Sequence, residues 1–133
     1  MHLEATVAMQ FFGKALYIPV KLWSAREGEY KQIYLTFDTG ATTSTLSTFV
    51  IENLGCRHLS DDKIALATAS GVEWASKHIL DKIMIADIEI FEVEVLCLDF
   101  PEESFSSGVI GLNVLRNFDV ELLFSKGLIK FKK

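Results

Sequence analysis

The chain is poor in residues that staple or ligate. Its 133 residues hold two cysteines, Cys56 and Cys97, and three histidines, His2, His58 and His78. Two scattered thiols do not make a disulfide framework, and a structural zinc site needs about four ligands at close spacing. The histidines share no ligand spacing and read as unrelated surface or boundary residues. Cys97 lies in the apolar run Val95–Leu98 and reads as a small buried hydrophobe. Basic residues are in the minority, 13 against 18 acidic, for a net charge of −5. That balance argues against nucleic acid and anionic membranes as main partners. No apolar run reaches the roughly 18–20 residues that a membrane helix needs. The segment from Met1 to Phe12 contains Glu4 and no basic cluster, so it does not read as a signal peptide. A cytoplasmic location is therefore expected, for the chain itself or for a domain excised from a longer protein. Repeats, linkers and low-complexity stretches are missing too. What remains is a chain that is 50% hydrophobic, enough for one core in one domain over residues 1–133.

Alternation dominates the apolar residues. Leu16, Ile18, Val20 and Leu22 fall on one face of a strand, with Tyr17, Pro19, Lys21 and Trp23 on the other. Pro19 suggests an edge position or a strand boundary. After a polar loop over Ser24–Gly28, the residues Ile33, Leu35 and Phe37 alternate with Tyr34, Thr36 and Asp38. Ser47 is placed to cap a short helix running to about Leu54, with Phe49, Val50 and Leu54 buried and Gly55 ending it. Strands are expected over Lys63–Thr68, Glu73–Ile85 and Ile88–Asp99, the last two joined by a turn at Ala86–Asp87. In the last, Phe91, Val93, Val95 and Cys97 share a face, opposite Glu92 and Glu94. Pro101–Ser107 reads as a polar loop. One or two helical turns over Asn113–Phe118 and a closing hairpin, Asp119–Phe124 with Leu128–Phe131, complete an all-β domain with one or two short helices.

One stretch breaks this pattern. In Leu35-Thr36-Phe37-Asp38-Thr39-Gly40-Ala41-Thr42-Thr43-Ser44, a carboxylate ends an apolar strand and is followed by small and hydroxyl residues, with no basic partner. By parity Asp38 shares a face with Thr36, so it leaves the sheet rather than entering the core. Gly40 permits a sharp turn there. Asp-Thr-Gly with threonines also resembles the phosphate-binding hairpin of actin-like ATPases and sugar kinases. That fold needs two large α/β domains, which 133 residues with few helices do not supply. A second segment, Gly108-Val109-Ile110-Gly111-Leu112-Asn113-Val114-Leu115, supplies an apolar-apolar-Gly element much later in the chain.

With both motifs, in this order, the chain resembles the retropepsin-like aspartic proteases over about Ala15 to Phe131. The resemblance implies an acid-protease barrel forming a homodimer. Asp38 would be the catalytic carboxylate, and Thr39, Gly40 and Ala41 its loop. Ile110 and Gly111 would pack beside that loop. A single Asp-Thr-Gly implies one site on a two-fold axis, where two Asp38 carboxylates share a proton and activate a water against a peptide bond. No metal or cofactor is implied, and the partner is a peptide or protein substrate. Ala69, Ser70 and Gly71 fit the tip of the family's mobile flap. On the residues alone they are a polar turn between strands. Trp74 is expected to pack against the sheet rather than line the cleft. Viral members commonly pair acidic residues after Asp-Thr-Gly-Ala with an Arg after the later Gly. Thr42, Thr43 and Leu112 stand at those places, which points to the cellular, non-viral kind. The alternative to an endopeptidase is a non-catalytic retropepsin-like dimer that serves as a dimerisation or peptide-binding module.

Overall fold

The computed structural model describes residues 3–68, 71–99 and 107–133. Most of them lie in eleven strands: β1 (Glu4–Ala8), β2 (Gln10–Phe12), β3 (Ala15–Ser24), β4 (Glu29–Phe37), β5 (Thr45–Ser47), β6 (Arg57–Thr68), β7 (Gly71–Ile85), β8 (Ile88–Leu98), β9 (Gly108–Ile110), β10 (Asp119–Leu123) and β11 (Leu128–Lys132). Two short helices, α1 (Thr48–Leu54) and α2 (Leu112–Leu115), interrupt them. The all-β expectation with short helices holds.

The strands form a three-stranded sheet, β1-β11-β10, and an eight-stranded sheet, β2-β3-β4-β9-β5-β8-β7-β6. An added pairing of β3 with β7, Lys21 opposite Met84 and Leu22 opposite Ile83, closes six strands of the larger sheet into a ring. Closure hides strand edges that would otherwise pair with other chains. Ile18, Val20, Leu22, Leu35, Leu80, Ile85 and Ile110 fill the interior, each at most 1% exposed. Pro19 lies inside β3 rather than at its end. On the flank of β3 away from β4, β2 pairs with residues 15–17 and β7 with 21–22. Pro19 falls in the gap between them, where a missing N–H costs the ladder least.

Three local expectations change. Ser47 does cap α1, its hydroxyl accepting from Val50 N at 3.2 Å, and Gly55 ends it at φ +68°. However, the buried face is Ile51 and Leu54, whereas Phe49 is 75% exposed. In β8, Ile88 and Ile90 join Val93 and Val95 in the core, and Phe91 turns outward. The phase slips at Glu92, whose φ of +55° breaks the alternation. The histidines also divide differently. His58 and His78 face each other across β6 and β7, with ring centroids 4.7 Å apart, and His78 is buried. Burial, then the neighbouring His58, holds the His78 pKa below its ordinary value.

The closing hairpin is β10 and β11 of the smaller sheet, as expected, whereas its third strand, β1, went unread in the sequence. Ala5 and Val7 of β1 sit opposite Phe131 and Ile129 of β11, and all four are buried. Cys56 and Cys97 are free and only partly buried. No helix among the described residues is long and apolar enough to cross a membrane.

Candidate active site

The site arises from a strand crossing. β4 carries the chain to Phe37, the loop over 38–44 follows, and β5 resumes the sheet. β9 slides between the two, parallel to β4 and antiparallel to β5. Thr36 sits opposite Val109, and Phe37 opposite Ile110. A strand inserted between the two arms of a loop fixes both arms by backbone hydrogen bonds. Asp38 N donates to Ile110 O at 3.1 Å, Leu112 N to Ala41 O at 2.8 Å, and Asn113 N to Thr42 O at 3.1 Å. Ile110 and Gly111 therefore do lie beside the loop that bears Asp38.

Two glycines make the crossing possible through contact distance. A Cβ on Gly111 would sit 2.7 Å from Ala41 O, and one on Gly108 would sit 2.3 Å from Thr45 O. Gly40 lies in the expected turn, closed by Ala41 N donating to Asp38 O at 3.3 Å, and needs no positive φ there. Its N–H donates to Asp38 Oδ1 at 2.8 Å, and a Cβ there would come within 3.1 Å of the same oxygen.

Ser44 and Asn113 lock the arrangement, and the sequence did not single them out. Ser44 is 4% exposed. Its backbone N and its hydroxyl both donate to Asn113 Oδ1, each at 2.8 Å. The same hydroxyl accepts from Gly111 N at 2.9 Å. Asn113 Nδ2 then donates to Glu94 O at 2.7 Å, and Leu96 N to Ser44 O at 2.9 Å. Every polar atom of the two side chains that this geometry buries has a partner, so the clamp ties the Asp loop, the apolar-Gly segment and β8 into one rigid unit. Ser44 and Asn113 lie far apart in sequence, so no local signal marks the pair.

Asp38 sits half-buried at the mouth of this unit. One carboxylate oxygen takes the Gly40 N–H, and Asp38 joins none of the ion pairs among the described residues. The carboxylate is thus oriented by a neutral donor, the Gly40 N–H. Thr39 is exposed beside an apolar depression of about 250 Å³ that includes Phe37, Leu112, Leu115 and Leu122. Thr42, Thr43 and Leu112 carry no ion pair. In its place, backbone bonds from Leu112 and Asn113 join the two segments. One chain brings one Asp38 to this site.

Of the flap residues, Ala69 and Ser70 lie outside the described residues. Gly71 opens β7 opposite Thr68, at φ +124°. Trp74 does not pack into the sheet; it is 63% exposed, on the same hairpin as Val72 at 66%. Among the described residues, no three of His, Cys, Asp and Glu gather where they could hold a metal ion.

Comparison with known proteins agrees with this geometry. The family described as "gag-polyprotein putative aspartyl protease" matches residues 28–117, more than half of the chain and both motifs. No curated protein matches the chain. Among solved structures, a retropepsin-like aspartic protease from Rickettsia conorii superposes with a TM-score of 0.68 at 18% identity. The match covers 99% of this chain and 92% of that one. At that identity the likeness shows the fold. On the strength of the family match and the shared fold, the chain belongs to the retropepsin-like gag-polyprotein aspartyl protease family.

Proposed function

We propose that the chain is an aspartic endopeptidase that works as a homodimer. The observation that carries this reading is the state of Asp38. It is a half-buried carboxylate, hydrogen-bonded by Gly40 N–H and joined to no ion pair among the described residues, on a loop locked by Ser44 and Asn113. A cation would hold the group as an anion; neutral donors let it exchange a proton.

Two copies would set their Asp38 carboxylates together with one proton between them, since two like charges in contact do not both ionise. The ionised carboxylate takes a proton from a water, whose oxygen attacks the scissile carbonyl carbon. The protonated Asp38 of the second copy donates to the carbonyl oxygen. A tetrahedral diol forms. Proton return to the peptide nitrogen then releases the amine and the acid, with no acyl-enzyme. Thr39, exposed next to the apolar depression, and the partly exposed Leu112 and Leu122 support a contact with the second copy around this loop. The hairpin of β6 and β7, which pair as far as Thr68 and Gly71, would cover the bound peptide. The two free thiols suit a reducing compartment such as the cytoplasm.

The test is cleavage of a peptide pool by the wild-type protein, by Asp38→Asn, and by wild type with an active-site-directed aspartic protease inhibitor. Cleavage should vanish in the second and third samples. Cleavage that persists in Asp38→Asn contradicts the proposal.

A further inference from the structure

The hairpin of β6 and β7 is fastened to the rest of the sheet at one place. β7 pairs with β8 as far as Ser76, which sits opposite Cys97. Beyond it, residues 71–75 of β7 pair with β6 alone. β6 is the last strand of its sheet, and its ladder with β7 slips twice between His58 and Lys63. Before those slips only two residues of β6 are in register, Arg57 opposite Ile79 and His58 opposite His78. The root of the hairpin is therefore built around two histidines.

Their chemistry suits a switch. The rings meet edge to face, with centroids 4.7 Å apart and planes at 87°. His58 is exposed and His78 is buried beneath it. His78 Nε2 lies 3.1 Å from Ser76 Oγ, but its Nδ1 is buried with no hydrogen-bond partner. The Cys56 backbone favours a proton on this ring without reaching hydrogen-bond geometry to Nδ1. A neutral imidazole has one N–H, whereas an imidazolium has two. Protonation here would leave a charged N–H buried and unpaired, beside a second ring able to take a charge. No carboxylate faces the site across the ladders. His78 meets His58 and Val95, and Ser76 meets Lys63 and Cys97. The nearby charges are engaged elsewhere: Arg57 with Asp81 and Glu92, Lys77 with Glu94, and Asp99 with Thr48.

We propose that the His58–His78 pair is a proton-operated latch at the root of the hairpin: the neutral pair holds β6 against β7, and the protonated pair parts and frees the hairpin. That the hairpin covers a bound peptide rests on the endopeptidase reading; the latch itself does not. The sign follows from burial, which with His58 holds the His78 pKa below its ordinary value of 6.5. Parting exposes the ring to water and restores that value, so the open form binds more protons. Acidification through about pH 6.5 then favours opening, by up to about tenfold per pH unit until the closed form also protonates.

Hydrogen exchange read by mass spectrometry tests the latch from pH 7.5 to 5.0, with rates corrected for the intrinsic pH dependence of amide exchange. In wild type, protection over residues 71–76 should fall about tenfold, while β10 and β11 change by less than about twofold. His78→Phe keeps a buried ring and removes the titration, so its protection should be the same at both ends of the range. His58→Phe, at an exposed position, keeps the ring contact and removes the second charge, so the midpoint of opening should move to higher pH. Wild-type pH dependence in His78→Phe overturns the latch. Should that variant not fold, a His58→Phe midpoint that stays in place or moves lower overturns it as well. So does an equal loss of protection in β10 and β11, because the whole domain would then be opening. Asp38→Asn separates the latch from the catalytic reading. Unchanged pH dependence in that variant upholds the latch whether or not the wild type cuts peptides. Loss of the dependence there assigns the effect to the carboxylate and overturns the latch.

Discussion

Ser44 tests whether the clamp holds the catalytic loop. Replacing it by Ala deletes one hydroxyl and leaves the backbone intact. The hydroxyl now accepts from Gly111 N at 2.9 Å and donates to Asn113 Oδ1 at 2.8 Å, at a residue 4% exposed. Its loss leaves the Gly111 N–H without a partner in a place water does not reach. Asn113 Oδ1 keeps the Ser44 N–H, so that end is only weakened. A buried polar group left unpaired costs about 1–3 kcal/mol, and about 2 kcal/mol is the middle of that range. For a chain of this size, each kcal/mol moves Tm by about 4 °C, so Ser44→Ala should melt about 8 °C below wild type. The assay is a circular-dichroism melt at fixed protein concentration, because association would shift Tm by mass action. Thr42→Ala, an exposed hydroxyl in the same loop, is the control and should change Tm by about 1 °C or less. A Ser44→Ala melt within about 2 °C of that control would refute the reasoning, since the clamp would then hold nothing.

Other perturbations separate neighbouring residues with different roles. Gly111→Ala forces a Cβ to 2.7 Å from Ala41 O and should cost about 1–3 kcal/mol in a melt. Gly40→Ala meets only Asp38 Oδ1 at 3.1 Å, and should fold nearly normally while losing peptide cleavage. Ile51→Ala should destabilise by about 2–4 kcal/mol in urea unfolding, while Phe49→Ala, at a position 75% exposed, should stay within about 0.5 kcal/mol. Burial, with Asp81 nearby, pushes the Cys56 thiol up to about 11, so its thiolate is scarce at pH 8. Iodoacetamide should label it about a hundredfold more slowly in the folded protein than in guanidinium, and equal rates would contradict that environment.

The strands around the site were legible because each alternates on its own. Leu35 and Phe37 against Thr36 and Asp38 place the carboxylate on the face opposite the buried Leu35. The two glycine-bearing motifs were legible through family likeness, and β9 between β4 and β5 gives that likeness its geometric reason. What escaped had other causes. α1 has seven residues, barely two turns, too few to decide between Phe49 and Ile51 for the core. Glu92 takes φ +55° without any glycine or asparagine to announce it, so the phase slip that turns Phe91 outward is invisible in β8. The Ser44–Asn113 clamp joins residues 69 apart in sequence, and chain-local patterns carry no trace of it. β1 is different: Ala5, Val7 and Met9 alternate with Glu4, Thr6 and Ala8, so the signal was present, but its partner β11 lies at the far end of the chain.

The central claim is that Asp38 is used twice in one site, and the most direct measurement uses two copies joined by a flexible linker. Joining them raises the effective local concentration, so that association no longer limits the rate. Asp38→Asn is then placed in one copy only. The change is close to isosteric, and a melt checks that the fold survives. If the two copies build one site, nearly all peptide cleavage should be lost, because an amide cannot exchange the proton that the pair must pass. If each chain works alone, about half should remain. Half-activity in the linked protein would contradict the shared dyad and the endopeptidase mechanism built on it.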